Sequence, residues 1–311
     1  MRPERFVVRA PATTANLGPG FDCAGAALEL WNELHVLPAE HGEPLVELDG
    51  EGTDEIPTDE SHLALQAFAL AAPLDGHRFR FVNRIPLERG LGSSAATVAA
   101  GLVAGLVAAG RELESDEVIE LGLPLEGHAD NLAPAILGGV CLSWKSDGGG
   151  HEARRIATGL PLTPIFVVPG SRVSTSESRT RLPGSLPHAD AVSAAAQAAL
   201  LGAAIASGDA DLLTAAFRDF LHEPFRAPDA PLLGALREAP VTGQRGVTLS
   251  GSGPTVAVWV DPARVDEAEV ELRQLAREAQ IIPLAIAGRG THGVLLEADE
   301  NEATTTLGVH A

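Results

Sequence analysis

A chain of 311 residues is about twice a common domain length, so one large or two ordinary domains are expected. Hydrophobic residues at 45% and charged residues at 21%, with 33 Gly and 22 Pro scattered without a period, exclude collagen-like and disordered classes. A formal net charge of -20 argues against nucleic acid and anionic membrane as partners, and a lone lysine, Lys145, leaves neither a Gly-Lys-Ser/Thr phosphate loop nor a protein-kinase strand lysine.

The amino terminus lacks a long apolar run and carries Glu4 among its basic residues, which argues against a secretory signal and makes a cytoplasmic protein the expectation. Cys23 and Cys141 are far apart with no CxxC, so they read as small hydrophobes rather than a disulfide framework or zinc knuckle.

In chain order, residues 6–11 (FVVRAP) predict a strand ended by Pro11, then a Gly/Pro loop over 13–22 and an apolar stretch over 23–30. Alternating strands follow at 34–38 and 44–50, then an acidic, turn-rich loop. Ser61 is placed to cap a helix that Pro73 stops, and residues 79–86 alternate as a strand. A glycine loop then opens a long small-residue helix; although residues 91–110 are apolar, their Gly and Ala content suits a buried helix better than a membrane span. A helix over 115–127, a polar knot at 126–131, a short helix running through Gly138 and Gly139 into a strand, and a hairpin tip at Gly148–Gly150 complete the first half.

A domain change is expected near residue 160, giving domains 1–160 and 161–311, because residues 162–169 begin a fresh strand and Ala-rich helices follow at 188–207 and 209–221. Residues 246–260 read as two strands joined by Gly-Ser-Gly, followed by an amphipathic helix over 262–279 and a last strand pair at 281–287 and 292–297.

The clearest local signal is Gly90-Leu91-Gly92-Ser93-Ser94-Ala95-Ala96. Glycines let backbone N–H groups approach an anion, and the following helix aims its positive end at it, so no lysine is needed. Of the two hydroxyls, one could cap the helix while the other ligates magnesium. The plainer alternative for this fragment alone is a glycine turn capped by serine, against which the pair of hydroxyls at the helix start tells. The same run fits GxGxxA, but Pro86, Leu87, Glu88 and Arg89 separate the strand from the first glycine, which a dinucleotide-binding turn does not allow.

Two further glycine loops stand at Pro11–Asp22 (PATTANLGPGFD) and Thr248–Thr255 (TLSGSGPT). With these three motifs in this order over nearly its full length, the chain resembles the GHMP kinases. Within them it is most similar to the homoserine kinases, because Ala10-Pro11-Ala12-Thr13 lacks the lysine that sugar and mevalonate members carry in the first motif, and Ala-Asn-Leu-Gly-Pro-Gly-Phe-Asp follows. The resemblance implies an α+β fold of two closely packed parts, the first like ribosomal protein S5 domain 2 and the second ferredoxin-like, with the active site between them. It implies ATP and Mg2+ as cofactors, L-homoserine as substrate and O-phospho-L-homoserine as product. A homodimer is compatible with it.

The resemblance assigns ATP to Pro86, Leu87, Glu88, Arg89, Gly90, Leu91, Gly92, Ser93, Ser94, Ala95 and Ala96, and the metal to Ser94 and Glu126. It assigns the substrate to Asn16, Asp22, His128, Asn131, Thr175, Arg179, Arg226 and Gly251, with catalytic roles for Asn16, Asn131 and Arg179. Bare chemistry keeps alternatives beside some of these: Asp22 as a turn-closing side chain, His128 as a structural loop histidine. A carboxylate substrate needs cations, and bidentate arginine suits it, whereas Arg172 and Arg181 have no supporting pattern. With no lysine beside a candidate base, and the orientation of Asp130 not given by sequence, transfer without a protein general base is the expected route.

Overall fold

The computed structural model describes residues 5–295 and 306–308. β1 (Phe6–Ala15) runs antiparallel to β2 (Ala24–Pro38). Pro11 does not end β1, as sequence suggested; the register against β2 slips between Pro11 and Ala12, and such a bulge tolerates a residue with no N–H to donate. The apolar stretch after the loop and the later alternating segment are one long strand, β2. β3 (Val46–Gly50) lies parallel to β4 (His77–Asn83), with α1 (Leu63–Ala69) between them in sequence. The cap of α1 is His62 rather than Ser61: His62 Nδ1 accepts from Ala64 N–H at 3.1 Å, while the Ser61 hydroxyl is drawn to Asp59 at 2.5 Å.

Next come α2 (Ser93–Ala109), α3 (Ser115–Glu126), α4 (Ala129–Leu137), β5 (Val140–Lys145) and β6 (His151–Ala157), close to the sequence reading. Ala95 to Leu106 of α2 are buried almost throughout, as a small-residue helix against a sheet requires.

The second half holds β7 (Thr163–Val168), α5 (Thr175–Thr180), α6 (His188–Ser207), α7 (Ala210–Ala216), α8 (Glu223–Arg226) and α9 (Pro231–Glu238). It continues with β8 (Gln244–Leu249), β9 (Val256–Val260), α10 (Val265–Leu275) and β10 (Gln280–Pro283). α7 stops short of residue 221 because the Asp219 carboxylate takes the N–H groups of Leu221, His222 and Glu223, a turn that starts α8 instead. β11 (His292–Leu295) and β12 (Thr306–Gly308) return to the first sheet.

The first sheet has the order β12-β11-β1-β2-β4-β3, with β5 on the early part of β2 and β6 on β5. The second is antiparallel, order β10-β7-β9-β8, the 4-1-3-2 arrangement of a ferredoxin-like βαββαβ unit. The two segments read as a last strand pair therefore belong to different sheets: β10 joins β7, β11 joins β1, and residues 296 and 297 lie outside the described residues.

Alternation along β7 and β9 ties the halves together. Ile165, Val167, Val256, Val258 and Val260 face Leu233, Leu236, Ala268 and Leu272 in one core, while Phe166, Val168, Ala257 and Trp259 join the large core of the first half. The second sheet is thus buried on both faces, which fixes the cleft between the halves. Cys23 and Cys141 are free thiols; burial pushes that of Cys141 up to about 12, so it behaves as a hydrophobe.

Candidate active site

The three glycine loops meet. Ser250 Oγ donates to the Gly90 carbonyl at 2.7 Å and lies 2.9 Å from Thr14 Oγ1; Asn16 Nδ2 donates to the Gly251 carbonyl at 2.9 Å; Thr13 N–H donates to the Leu91 carbonyl at 3.1 Å. Glycine is required where they touch. Gly90 has φ +77°, and a Cβ there would stand 2.2 Å from the Ser250 carbonyl oxygen; Gly92 has φ +65°, and its Cβ would stand 1.8 Å from Thr13 Oγ1. The loops enclose a cleft of about 530 Å³ lined by both halves of the chain.

At one end the cleft meets the start of α2. The N-cap is Gly92 and no side chain caps it, so the serine cap that sequence allowed is not formed, and the opening amides of the helix are left for an anion. The Ser94 hydroxyl stands beside the carboxylate of Glu126, whose Oε2 is buried without a partner. Burial raises that carboxyl to about 7. An orphaned carboxylate oxygen beside a hydroxyl fits a hard cation such as Mg2+, which takes one or two protein oxygens and draws the rest from phosphates and water. Beyond it the wall is apolar, with Ile56, Pro57, Leu63, Pro86, Leu87 and Val173.

The other end is polar. Arg179 grips Asp22 through two bonds of 2.8 and 3.1 Å and reaches His128 Nε2 through its own Nε at 3.1 Å. Burial, then the charge of Arg179, holds the His128 pKa below its ordinary value. Asn131 Oδ1 accepts from Thr13 Oγ1 at 2.7 Å, which leaves its amide NH2 as the group not engaged there. Arg226 is 3% exposed and, among the described residues, forms no ion pair; its NH1 donates to His222 Nδ1 at 3.2 Å and to the Gly251 carbonyl at 3.3 Å, and its Nε has no partner. Burial lowers its pKa. The Phe21 ring lies 5.3 Å from its guanidinium carbon and 5.9 Å from that of Arg179.

Asn16, Asp22, Ser94, Glu126, His128, Asn131, Thr175, Arg179, Arg226 and Gly251 all line this cleft, as do Pro86 to Ser94. Ala95 and Ala96 do not; both are fully buried within α2. Asn16 is also a structural tie, its Oδ1 accepting from Asp22 N–H at 3.0 Å and its Nδ2 spent on Gly251.

Sequence reasoning left out several residues that shape the site. Asp130 reaches the cleft, 4% exposed, with its carboxyl raised to about 7 by burial and the neighbouring Asp22. Arg172, set aside by its pattern, pairs with Glu55 (2.8 Å, NH2 to Oε1), and Arg89 donates to the carbonyls of Pro169 and Gly170, so the segment after β7 is strapped across the cleft mouth. His62, Phe21 and His222 had no local signal; a buried charge such as Asp130 could have been suspected from its place in an otherwise apolar helix.

Fold and loops together are those of a GHMP-type small-molecule kinase. Residues 61–139 match the GHMP kinases N terminal domain family. The homoserine kinase of Streptomyces avermitilis is 39% identical over 295 residues, spanning 89% of this chain and 96% of that one. That of Deinococcus radiodurans is 42% identical over 262 residues, 82% of this chain and 84% of its own. The crystal structure of homoserine kinase from Cytophaga hutchinsonii matches the fold with a TM-score of 0.80 at 23% identity, covering 94% of this chain and 98% of that chain. The chain belongs to the homoserine kinase family.

Proposed function

We propose that the protein transfers the γ-phosphate of MgATP to the hydroxyl of L-homoserine, giving ADP and O-phospho-L-homoserine, in the route to threonine. The observation that carries this reading is Arg226: a guanidinium buried to 3% exposure with no carboxylate paired directly to it among the described residues, in the same cleft as an uncapped helix start. Asp22, Asp130 and Asp219 act on it only at a distance, and a buried cation with no directly paired carboxylate is costly, so the carboxylate of an amino acid can supply the missing contact.

The Asp22–Arg179 pair beside it supports a zwitterion. An ammonium and a carboxylate can replace the two halves of an internal ion pair, with Asp22 and Asp130 receiving the ammonium and Arg179 and Arg226 the carboxylate. Gly90 to Ser94 would cradle the phosphates through backbone N–H groups. Ser94 and Glu126 would hold Mg2+, which supplies charge neutralisation on the β- and γ-phosphates when bound. The apolar wall at Ile56, Leu63 and Leu87 suits the adenine. Asn131, oriented by Thr13, would direct its NH2 to an oxygen of the transferred group or the acceptor hydroxyl. No lysine serves these loops, so the residues align and neutralise, and the hydroxyl proton leaves late, to the phosphate rather than to a protein base.

The net charge of -20 fits a soluble cytoplasmic enzyme that avoids nucleic acid and anionic lipid. α6 is long and apolar enough to span a membrane by length and composition alone, which is weak evidence. A homodimer remains part of the proposal. The test is ADP release with MgATP and L-homoserine, L-serine, L-threonine, mevalonate, galactose and 4-hydroxybutyrate. Selective turnover of homoserine is expected, and Arg226→Ala should raise KM for the amino acid by about 10- to 100-fold while KM for ATP holds, as for the loss of charged hydrogen bonds. Preference for mevalonate, galactose or the ammonium-free acid would overturn the reading.

A further inference from the structure

Behind Arg226 stands a histidine that does not itself line the cleft. His222 is fully buried at the start of α8. Its Nδ1 lies 3.2 Å from Arg226 NH1, and its Nε2 lies 2.9 Å from the carbonyl oxygen of Gly18 in the first glycine loop. These two contacts select one state of the ring. A guanidinium N–H only donates, so Nδ1 must be a bare acceptor; a carbonyl only accepts, so Nε2 must carry the proton. The ring is therefore the neutral Nε2–H tautomer.

The ring is also held in place by its neighbours. Asp219 takes the backbone N–H of His222 at 2.8 Å and those of Leu221 and Glu223, fixing the main chain beneath it. Phe21 stacks on its face with centroids 5.0 Å apart and planes 22° apart, and the same Phe21 ring supports the guanidinium of Arg226. The charged groups that face it are Arg226, Asp219, whose Oδ2 is 3.7 Å from Nε2, and more distantly Asp22.

We infer that His222 is a positioning residue for substrate recognition: as a neutral acceptor it clamps Arg226 to the first glycine loop while leaving the full positive charge of the guanidinium for the carboxylate of the substrate. A carboxylate at the same place would hold Arg226 equally well and cancel the charge it is meant to present. The inference rests on the assignment of Arg226 to the substrate carboxylate. Burial also holds the His222 pKa below its ordinary value, in keeping with a ring that stays neutral at working pH.

The test has two independent arms. In the full-length wild-type protein labelled with 15N-histidine, ring chemical shifts, assigned by loss of one signal in His222→Asn, should show the neutral Nε2–H tautomer at neutral pH; an Nδ1–H ring or an imidazolium overturns the inference whatever the kinetics. In steady-state assays, His222→Leu should raise KM for L-homoserine on the order of tenfold with kcat and KM for ATP little changed. His222→Asn, which retains an acceptor near the Nδ1 position, should recover most of that loss. His222→Asp should raise KM for the amino acid at least as far as His222→Leu does, because it pairs with Arg226 and removes the net charge. If Arg226→Ala raises KM for the amino acid but His222→Leu and His222→Asp do not, the positioning role fails and the carboxylate assignment stands; if Arg226→Ala also leaves that KM unchanged, the assignment itself has failed.

Discussion

His62 makes acid stability a quantitative test of the packing around the cleft. It is 2% exposed, stacks on Phe81 with centroids 4.2 Å apart, and accepts from Ala64 N–H through Nδ1, so protonation must both charge a buried ring and break the cap of α1. Burial lowers its pKa from 6.5 to about 4. The sign follows from proton counting: below pH 6.5 the unfolded chain takes a proton that the folded chain refuses, so stability falls as pH drops, until the folded pKa is reached. A difference of about 2.5 units corresponds to roughly 3 kcal/mol once the transition is complete, and to about 2 kcal/mol lost between pH 8 and pH 5. Urea unfolding of wild type and His62→Asn at these two pH values isolates the contribution, because the other histidines titrate in both and cancel. Asn keeps a capping side chain and does not titrate, so the variant starts lower at pH 8, having lost the ring stack, but falls by about 2 kcal/mol less on acidification. Parallel losses in the two proteins would refute the reasoning.

Two further outcomes follow from the phosphate end of the cleft. Glu126→Gln removes the charge from the orphaned carboxylate beside Ser94, so turnover should fall on the order of a hundredfold and half-saturation by Mg2+ should shift to higher concentration; an unchanged Mg2+ titration would remove Glu126 from the metal. Gly92→Ala sets a methyl 1.8 Å from Thr13 Oγ1 at a backbone with φ +65°. The left-handed backbone alone costs about 1–2 kcal/mol, and displacement of Thr13 frees Asn131, so thermal stability and kcat should fall together; kcat at the wild-type level would show that the Thr13–Asn131 bond does not matter.

What could be read in advance depended on how local its cause is. The three glycine loops were legible because turns at positive φ and uncapped helix starts write themselves into short runs of Gly, Ser and Asn. α2 was legible from its small residues, and so was the hairpin around Ser250 to Thr255. Pro11 misled because the bulge that accommodates it is a property of pairing with β2, not of the residues beside it. Ser61 misled because Asp59, two positions earlier, competes for its hydroxyl, and His62 takes the cap. The roles of His222 and Phe21 stayed hidden for a stronger reason: each depends on a group brought near by folding, such as the Gly18 carbonyl beside His222, and nothing in adjacent sequence encodes that neighbour; Asp130 was visible as a charge, but its burial beside Asp22 was not. The Arg172–Glu55 strap is of the same kind.

The pairing of β11 with β1 bears on how the chain is made. One edge of β1 meets β2, which follows it closely in sequence, but the other edge waits for His292–Leu295, separated from it by the whole second sheet. Until then the emerging polypeptide carries an unpaired, apolar strand edge, the kind that pairs with other chains. The strand that leads into the first glycine loop thus gains its second neighbour only after the whole second sheet has been made, so the loop's outer support arrives after the elements that it faces across the cleft.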